Sequence, residues 1–423
     1  MKKGLLLISR VFAGSVFMIS GLVKANDTVG FAIKLEEYFS ADVLNMEFLI
    51  PIVLPLAVLV CVGEIVIGLG LLAGIQMKLT TWLALLLTVF FAFLTFYSAY
   101  FEKVTDCGCF GDAISFTPWQ SFIKDLVLMA FVMPIFLNRK EIKINQSPQD
   151  FVYFGSSIVF IGIFSIYILH WNFPLYFAIV LFGISGLIMS FVIGKAVDWI
   201  ILGLGFILSM YFTYHTYNHL PIKDYRPYAI GKSIPDQMVI PPSEHADIFE
   251  TTFVYKNKNT AEEKTFTQKN YPWNDPDWEW VSTNNELIEK GYEPPVHDFI
   301  ITDVDGYELQ DDILAEEDDV FLILFYDVTQ ANTNALPKVN AFAQAAEADG
   351  KYVYGLTSSL YDDLEAFRHD NQVPITFYSA DETMLKTVVR ANPGIVMLKK
   401  GVVVGKWHFN DLPEYAQLKK ELN

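Results

Sequence analysis

Two of the chain's three cysteines stand one residue apart, in the run Asp106-Cys107-Gly108-Cys109-Phe110-Gly111-Asp112. A disulfide between such neighbours closes a small strained ring, and the glycine between them supplies the backbone freedom that this ring needs. Strained disulfides are the more oxidising and labile ones, so the spacing is typical of a redox site. A static loop-closing disulfide and a metal-bound or inert pair of thiols remain alternatives. Because no histidine lies in the run, we expect no metal.

A reactive thiolate needs a nearby positive charge to lower the pKa of its thiol. Lys24, Lys103 and Lys124 are the candidates for that charge. Aspartates beside the pair could tune the thiolate or move its proton. The candidate catalytic residues are Cys107, Cys109, Asp106, Lys124 and Asp125.

The elements around this run are those of a membrane protein. Hydrophobic residues make up 52% of the 423 positions. A membrane-spanning helix needs about 20 mainly apolar residues. Seven runs satisfy this requirement and predict an all-α polytopic membrane domain: roughly 4–24, 48–75, 79–100, 119–137, 151–171, 173–194 and 196–217.

Charge is distributed unevenly along the chain. Residues 1–220 carry 12 basic and 13 acidic residues, which leaves 18 basic and 35 acidic residues for the remainder. The acidic second half argues against binding to nucleic acid, whose phosphates it would repel, and against docking on anionic lipid. If the N-terminus is cytoplasmic, most of the basic residues in the short loops lie on the cytoplasmic side of the membrane, as is usual for membrane proteins. The prediction is a bacterial inner-membrane protein whose cysteine run and acidic half face the periplasm.

Two charged residues lie inside the predicted spans. Arg10 is about 9 Å from the cytoplasmic end of the first helix and Glu64 about 16 Å from that end of the second, at 1.5 Å per residue. Buried membrane charges are usually paired. We therefore expect an Arg10–Glu64 pair that holds the two helices together. Cys61, in the second helix, is expected to be a small core residue.

The cysteine run is accompanied by Trp119, by Lys124-Asp125 and by a set of residues in the first two helices. That set is Arg10, Phe17, Ser20-Gly21, Lys24, Glu64 to Gly68 and Leu71 to Gly74. The combination resembles the four-helix DoxX/MauE membrane family over residues 1 to about 140. The resemblance implies electron transfer from thiols outside to a carrier in the membrane, as in disulfide formation linked to MauE or thiol and thiosulfate oxidation linked to DoxX. A quinone is therefore implied as acceptor by resemblance only, and the sequence shows no dinucleotide fingerprint.

The second half begins with a connector. Glu250–Tyr255 and Lys264–Gln268 are predicted to form a hairpin. The next run, Asn270 to Trp280, has three tryptophans and is interpreted as cover for a small core, as a binding surface or as a segment that inserts at the membrane interface. His215 and His219, four apart at the end of the seventh span, are expected to be interfacial rather than metal ligands.

Strands then alternate with helices, which predicts a mostly parallel sheet. The predicted strands are Asp319–Tyr326, Tyr352–Thr357, Ile375–Phe377, Gly394–Lys399 and Val402–Trp407. The predicted helices are Asn334–Ala348, Ser359–His369, Glu382–Val389 and Pro413–Leu422. This order resembles the thioredoxin fold in its TlpA-like form. In that fold a cis-proline precedes a strand, and Pro393 in Ala391-Asn-Pro-Gly394 fits that place.

The redox motif of that fold is missing. The position that follows Leu322–Tyr326 holds Val328 to Asn332, and no cysteine occurs after Cys109. Without a thiolate this site cannot exchange disulfides. Active members hold extended peptides at this edge, so Thr329, Asn332 and Pro393 form a predicted peptide-binding surface. A mere scaffold is the alternative.

These observations divide the chain into four parts: a DoxX/MauE-like domain (1–140), three further membrane helices (141–220), a connector with the hairpin and Trp-rich segment (221–294), and an α/β thioredoxin-like domain (295–423). The expected function is thiol–disulfide redox or electron transfer through Cys107–Cys109, with a periplasmic protein partner held by the outer domain. The alternative is a non-enzymatic, membrane-anchored scaffold subunit of a cell-envelope complex.

Overall fold

The computed structural model describes residues 2–104, 110–145, 149–192, 194 and 196–422. Within these residues, seven helices are long and apolar enough to cross a membrane, which confirms the seven predicted spans. The helices of this half are Lys2–Asn26 (α1), Thr28–Phe39 (α2), Val53–Ala73 (α3), Met77–Phe101 (α4), Pro118–Leu137 (α5), Gln149–Ile163 (α6), Phe173–Phe191 (α7) and Ala196–Asn218 (α8). A 3-10 segment, Glu47–Ile52, extends α3, and a π-helical turn, Phe164–Ile168, extends α6. The short α2 is not a span and was not predicted.

Helices α1 and α3 pack closely through small residues. A Cβ atom at Gly14 would lie 3.0 Å from the carbonyl oxygen of Gly68, and one at Gly21 would lie 2.8 Å from that of Cys61. Close backbone approach of this kind is typical of glycine-rich membrane helices. The contact fixes the antiparallel register of the two helices, and with it the depth at which each charged side chain meets the other helix.

The connector contains a small antiparallel sheet. Ile248–Asn257 (β1) lies between Glu263–Thr267 (β2) and Trp278–Glu289 (β3), after the short helix Ile234–Met238 (α9). The predicted hairpin is confirmed. The third strand was not predicted; it overlaps the Trp-rich run only at residues 278–280 and continues to Glu289. Trp273 and Trp280 are 75% and 57% exposed, whereas Trp278 packs on Phe266 with ring centroids 5.2 Å apart.

The C-terminal half is a six-stranded mixed sheet with helices on both faces. Its strands are Ile301–Thr302 (β4), Val320–Phe325 (β5), Tyr352–Thr357 (β6), Phe377–Ala380 (β7), Gly394–Lys399 (β8) and Val402–His408 (β9), in the order β4-β7-β6-β5-β8-β9. Its helices are Gln310–Ala315 (α10), Leu336–Ala348 (α11), Tyr361–Asn371 (α12), Glu382–Val388 (α13) and Tyr415–Leu422 (α14). Strands β5, β6 and β7 are parallel, and β8 and β9 end the sheet as an antiparallel hairpin.

Strand β5 is buried along its whole length, as its unbroken apolar run requires of a central strand covered on both faces. Leu322 and Leu324 belong to the core on one side of the sheet, and Phe321 and Ile323 to the core on the other. Strand β7 begins two residues later than predicted. Pro374, which has no backbone N–H to contribute to a ladder, lies directly before the predicted start and three residues before the observed one.

The peptide bond between Asn392 and Pro393 is cis, which confirms the prediction for Pro393. The bond lies directly before β8, and the turn that would carry a redox motif lies after β5. Backbone and side-chain hydrogen bonds join these two places: the Asn332 N–H donates to the Asn392 carbonyl at 2.9 Å, and Asn392 Nδ2 donates to the Asp327 carbonyl at 2.6 Å. This edge of the sheet, hereafter the cis-proline edge, comprises Asp327–Asn332 and Arg390–Pro393.

The cis-proline edge faces the membrane half. Arg390 Nε donates to Asp27 Oδ2, at the start of α2, at 3.0 Å. Asn410 Nδ2 donates to the carbonyl of Asn218, at the end of α8, at 2.7 Å. Asn26 Nδ2, at the end of α1, donates to the Lys223 carbonyl at 2.7 Å. The C-terminal domain is therefore docked on the ends of α1 and α8.

Candidate functional site

Cys107, Cys109 and Asp106 lie outside the described residues, whereas the residues that follow them from Phe110 onward are described. Phe110 is 5% exposed and packs against Phe116 and Phe164. Asp112, in the turn that follows, lies 3.9 Å from Arg390 of the cis-proline edge. Asp112 thus lies at the junction of the two halves, and Phe110 is packed in the membrane half.

An ion pair lies inside the membrane half, near this junction. Lys24 Nζ is 2.7 Å and 2.9 Å from the two carboxylate oxygens of Glu64, and also donates to Ser20 Oγ at 2.7 Å. The two side chains are 2% and 3% exposed. All three ammonium protons therefore have partners, which is the condition under which a buried ammonium is tolerated.

The predicted Arg10–Glu64 pair is wrong. Arg10 donates instead to the carbonyls of Leu71 and Leu72 and to Asn145 Oδ1, at 2.8 to 2.9 Å. The register of α1 against α3 explains this, because Leu72 and Glu64 are separated by about 12 Å of helix at 1.5 Å per residue. Arg10 meets the C-terminal carbonyls of α3, the negative end of its helix dipole. Its guanidinium also lies 3.9 Å from the Tyr153 ring centroid.

Lys124 and Asp125 form a second pair at 2.7 Å, and Asp125 also accepts a hydrogen bond from Thr95 Oγ1 at 3.0 Å. The Asp125 side chain is 3% exposed, and Lys124 lies 5.4 Å from the centroid of the Phe110 ring. Both residues are therefore beside the end of the cysteine run. Their catalytic roles stay predictions.

A wider group of ion pairs surrounds Arg390. Burial acts to raise the pKa of Asp27, but Arg390 and Arg226 outweigh it and hold the pKa below its usual value. Asp224 accepts hydrogen bonds from Arg226 and Lys406, which likewise overcome its burial and lower its pKa. Sequence reasoning missed this group, whose members are far apart in the chain. Asp27, Asp224, Arg226 and Arg390 line, together with Lys24, a cavity of about 220 Å³ between the two halves, hereafter the junction cavity.

The three residues of the predicted peptide-binding surface come together at the cis-proline edge. Thr329 is exposed, Asn332 is half-buried and Pro393 is buried. The turn at Thr329 is held by Asp327, which accepts hydrogen bonds from the Thr329 N–H and hydroxyl at 2.8 and 2.6 Å. A second cavity, of about 380 Å³, separates Asn332 and Asn392 from Tyr217 and Asn218 of α8. Peptide binding there stays a prediction.

His215 and His219 stack with ring centroids 4.6 Å apart, and His219 Nδ1 lies 2.6 Å from Asp411. His219 thus joins α8 to the C-terminal domain. Among the described residues, no group of three or more His, Cys, Asp or Glu side chains could hold a metal ion. Cys61 is a buried free thiol, as expected of a core residue.

Fold and site together define a polytopic membrane protein with a thioredoxin-like α/β domain docked on one face. Residues 2–137 match the family described as methylamine utilisation protein MauE. Residues 249–290, which hold the small antiparallel sheet, match a domain of unknown function, DUF8463. No curated protein matches the chain.

Solved structures that are similar to this chain include the following three. A putative protein disulfide isomerase from Bacteroides thetaiotaomicron is 17% identical over 30% of this chain and 84% of its own, with a TM-score of 0.24. A thiol:disulfide interchange protein from Bacteroides sp. is 15% identical over 29% and 83%, with a TM-score of 0.24. The thioredoxin domain of a thiol-disulfide oxidoreductase from Bacteroides vulgatus is 16% identical over 30% and 93%, with a TM-score of 0.22.

Proposed function

We propose that the protein is a membrane thiol oxidoreductase in which Cys107 and Cys109 alternate between dithiol and disulfide. One observation carries this proposal: the residues that directly follow Cys109 lie between buried ion pairs and the cis-proline edge. Phe110 contacts Lys124 on the membrane side, and Asp112 lies near Arg390 on the other. Cationic groups on both sides favour the thiolate that such chemistry needs.

The proposed reaction is thiol–disulfide exchange. A substrate thiolate attacks the Cys107–Cys109 disulfide, forms a mixed disulfide with one cysteine and releases the other as a thiolate. A second substrate thiolate then displaces the bound cysteine, so that the substrate is oxidised and the pair reduced by two electrons. The dithiol returns to the disulfide by giving two electrons and two protons to an acceptor. A membrane quinone is the class of acceptor that the MauE resemblance suggests.

In this proposal the outer domain has no catalytic step. Its cis-proline edge, with Thr329, Asn332 and Pro393, holds a protein partner near the cysteine run. The partner and the domain are in the periplasm, and the membrane half is in the bacterial inner membrane. The predominance of Lys and Arg in the loops on the opposite side supports this orientation.

Trapping tests the proposal. In a chain in which Cys61 is replaced by Ser and Cys109 by Ala, Cys107 can attack a partner disulfide but has no resolving neighbour. We expect mixed disulfides on Cys107 that disappear when a reductant is added. The matched control replaces Cys107 as well and should trap nothing. Absence of adducts, together with full complementation of a deletion strain by the variant lacking both Cys107 and Cys109, contradicts the proposal.

A non-enzymatic scaffold is the second candidate. The observation in its favour is the turn at Asp327–Gln330, which stands where a redox motif would be and is closed by its own hydrogen bonds. The cysteines would then be a structural staple. Copurification of partners in fixed ratio, unaffected by replacing Cys107 and Cys109 with Ser, favours this function over the first.

A further inference from the structure

The small antiparallel sheet of the connector packs on neither half of the protein. Among the described residues, none between 248 and 289 belongs to the hydrophobic cores of the membrane helices or of the six-stranded sheet. The segments that enter and leave the sheet are tied to each other, because the Tyr292 N–H donates to the His245 carbonyl at 2.8 Å and the Gly291 N–H to Asp247 Oδ1 at 2.7 Å. The sheet is therefore a separate unit whose surfaces are largely exposed.

Strand β3 leaves a long edge of this sheet unpaired. It runs from Trp278 to Glu289 and pairs with β1 on one side, whereas no described strand pairs with it on the other. Its extra, bulged residues are Val281 and Ile288, so the stretch Ser282–Leu287 continues without a bulge. Proteins usually protect such an edge with lysine, proline or a bulge, and this stretch contains none of them. Its row of backbone N–H and C=O groups can accept a further strand.

One face of the sheet is apolar beside this edge. Residues directly opposite each other on neighbouring strands point to the same face. Leu287 lies opposite Phe249, and both side chains are exposed. Thr283 lies opposite Phe253, whose ring packs on Tyr271 with centroids 4.7 Å apart. Apolar side chains of an added strand would therefore extend this surface and cover the part of it that now contacts water.

The opposite face is acidic beside the same edge. Glu286 lies directly opposite Glu250 on β1, and like charges in this arrangement destabilise a pair of strands. In the part of the chain that the structure describes, neither carboxylate is ion-paired, and the ion pair of this strand joins Glu289 to His245. Strand β3 contains three glutamates and no basic residue. A cation brought to this face from outside the sheet would relieve the repulsion between the two carboxylates.

We propose that the free edge of β3 binds an extended segment of a partner protein in which apolar and basic residues alternate. The segment adds a fourth strand to the sheet, and its backbone pairs with that of Ser282–Leu287. Its apolar side chains lie beside Thr283 and Leu287, and its basic side chains lie beside Asn284 and Glu286 on the other face. A second copy of the chain fits the edge poorly, because its own β3 brings three more glutamates. The inference is independent of the proposed thiol chemistry.

Hydrogen exchange of the full chain in lipid nanodiscs tests the inference. The probe is a blocked peptide of about ten residues in which valine and lysine alternate. We expect the peptide to slow the exchange of backbone amides within residues 282–287 about tenfold. Two control peptides should give no protection. One has glutamate in place of lysine, and the other is N-methylated at two adjacent central residues, so that neither of its edges has an unbroken row of donors.

Charge reversal in the strand tests the choice of partner. Glu286→Lys brings a lysine opposite Glu250, so the sheet itself is expected to gain stability, and a loss of binding in this variant does not arise from unfolding. We expect its affinity for the valine–lysine peptide to fall about tenfold. Glu262→Lys, an exposed charge reversal just before β2, is the matched control and should change that affinity by less than about threefold.

Three results would overturn the proposal. The first is that the valine–lysine peptide leaves the exchange of residues 282–287 unchanged. The second is that the control peptides protect these amides as well as the probe does, because neither the added strand nor its basic side chains would then matter. The third is protection without any peptide that follows the number of chains per nanodisc or requires lipid, which assigns the edge to a second copy or to the bilayer. None of these results bears on Cys107 and Cys109.

Discussion

Lys24 Nζ lies 2.7 Å from Glu64 Oε1, and the two side chains are nearly inaccessible to solvent. The pair connects the end of α1 to the middle of α3 and lines the same small cavity as Phe110. Its energetics follow from burial. Each ion is tolerated because the other is present, so the loss of one leaves an uncompensated charge.

Replacing one partner should therefore cost more than replacing both. We predict that Lys24→Met or Glu64→Leu alone lowers the free energy of unfolding by about 3 to 5 kcal/mol, whereas the double variant stays within about 1 kcal/mol of wild type. Denaturation of the full chain in nanodiscs measures both. If the losses of unfolding free energy in the two single variants simply add in the double variant, the two residues are not coupled.

Arg10 and Glu64 should behave independently. Arg10 interacts with the end of α3, about two turns from Glu64. The changes in unfolding free energy caused by substitutions at distant sites usually add within about 0.5 kcal/mol. We predict that the costs of Arg10→Gln and Glu64→Gln add in the double variant, while those of Arg10→Gln and Asn145→Ala do not. A coupling energy between Arg10 and Glu64 above about 1 kcal/mol would restore the sequence-based pairing that the structure contradicts.

That pairing shows where sequence reasoning fails. The spans and the cis-proline could be predicted, because length, hydropathy and a local motif determine them. Arg10 and Glu64 were matched by depth alone, and depth says nothing of the register between two helices. The glycine contact of Gly14 with Gly68 sets that register. Reading the glycines as a contact pair would have placed Arg10 beside Leu72.

The contacts between the two halves could not be predicted from the sequence either. Asp27 and Arg390 are separated by 363 positions, and their contact depends on how two domains dock. Local patterns carry no information about such docking. The strand β3 was missed for another reason: polar residues from Ser282 to Glu286 interrupt the alternation of apolar and polar side chains on which a strand prediction depends.

Arg390 is expected to hold the outer domain in place. Arg390→Gln removes the partner of a largely buried carboxylate, and we predict a loss of roughly 3 kcal/mol with faster hydrogen exchange in the connector at residues 220–228. Exchanging the charges, in Asp27→Arg with Arg390→Asp, should restore part of the protection. Arg368→Gln, which breaks an exposed pair with Glu365, is the control and should change stability by less than about 1 kcal/mol. Unchanged exchange in the connector would contradict the docking role.

His408 should make the outer domain sensitive to acid. Burial lowers its pKa to about 4, with Asp411 opposing and His219 adding to the effect. The unfolded chain, with a histidine pKa near 6.5, binds the proton first. The contribution of neutral His408 to the free energy of unfolding is therefore complete above about pH 6.5. It is lost as the pH drops towards 4, and the total loss is about 3 kcal/mol. Thermal denaturation at pH 7 and pH 4.5 should show this loss. It should shrink in His408→Gln and persist in His369→Gln, whose ring is 90% exposed.

The account depends on sulfur chemistry at Cys107 and Cys109, and the redox state of these cysteines in living cells tests it most directly. Differential alkylation followed by mass spectrometry measures the oxidised fraction of each, with Cys61 as the internal reference. We predict that the pair is mostly oxidised in respiring cells and becomes reduced when the respiratory chain is blocked, while Cys61 stays a thiol. A pair whose oxidised fraction is the same in both conditions would contradict the account.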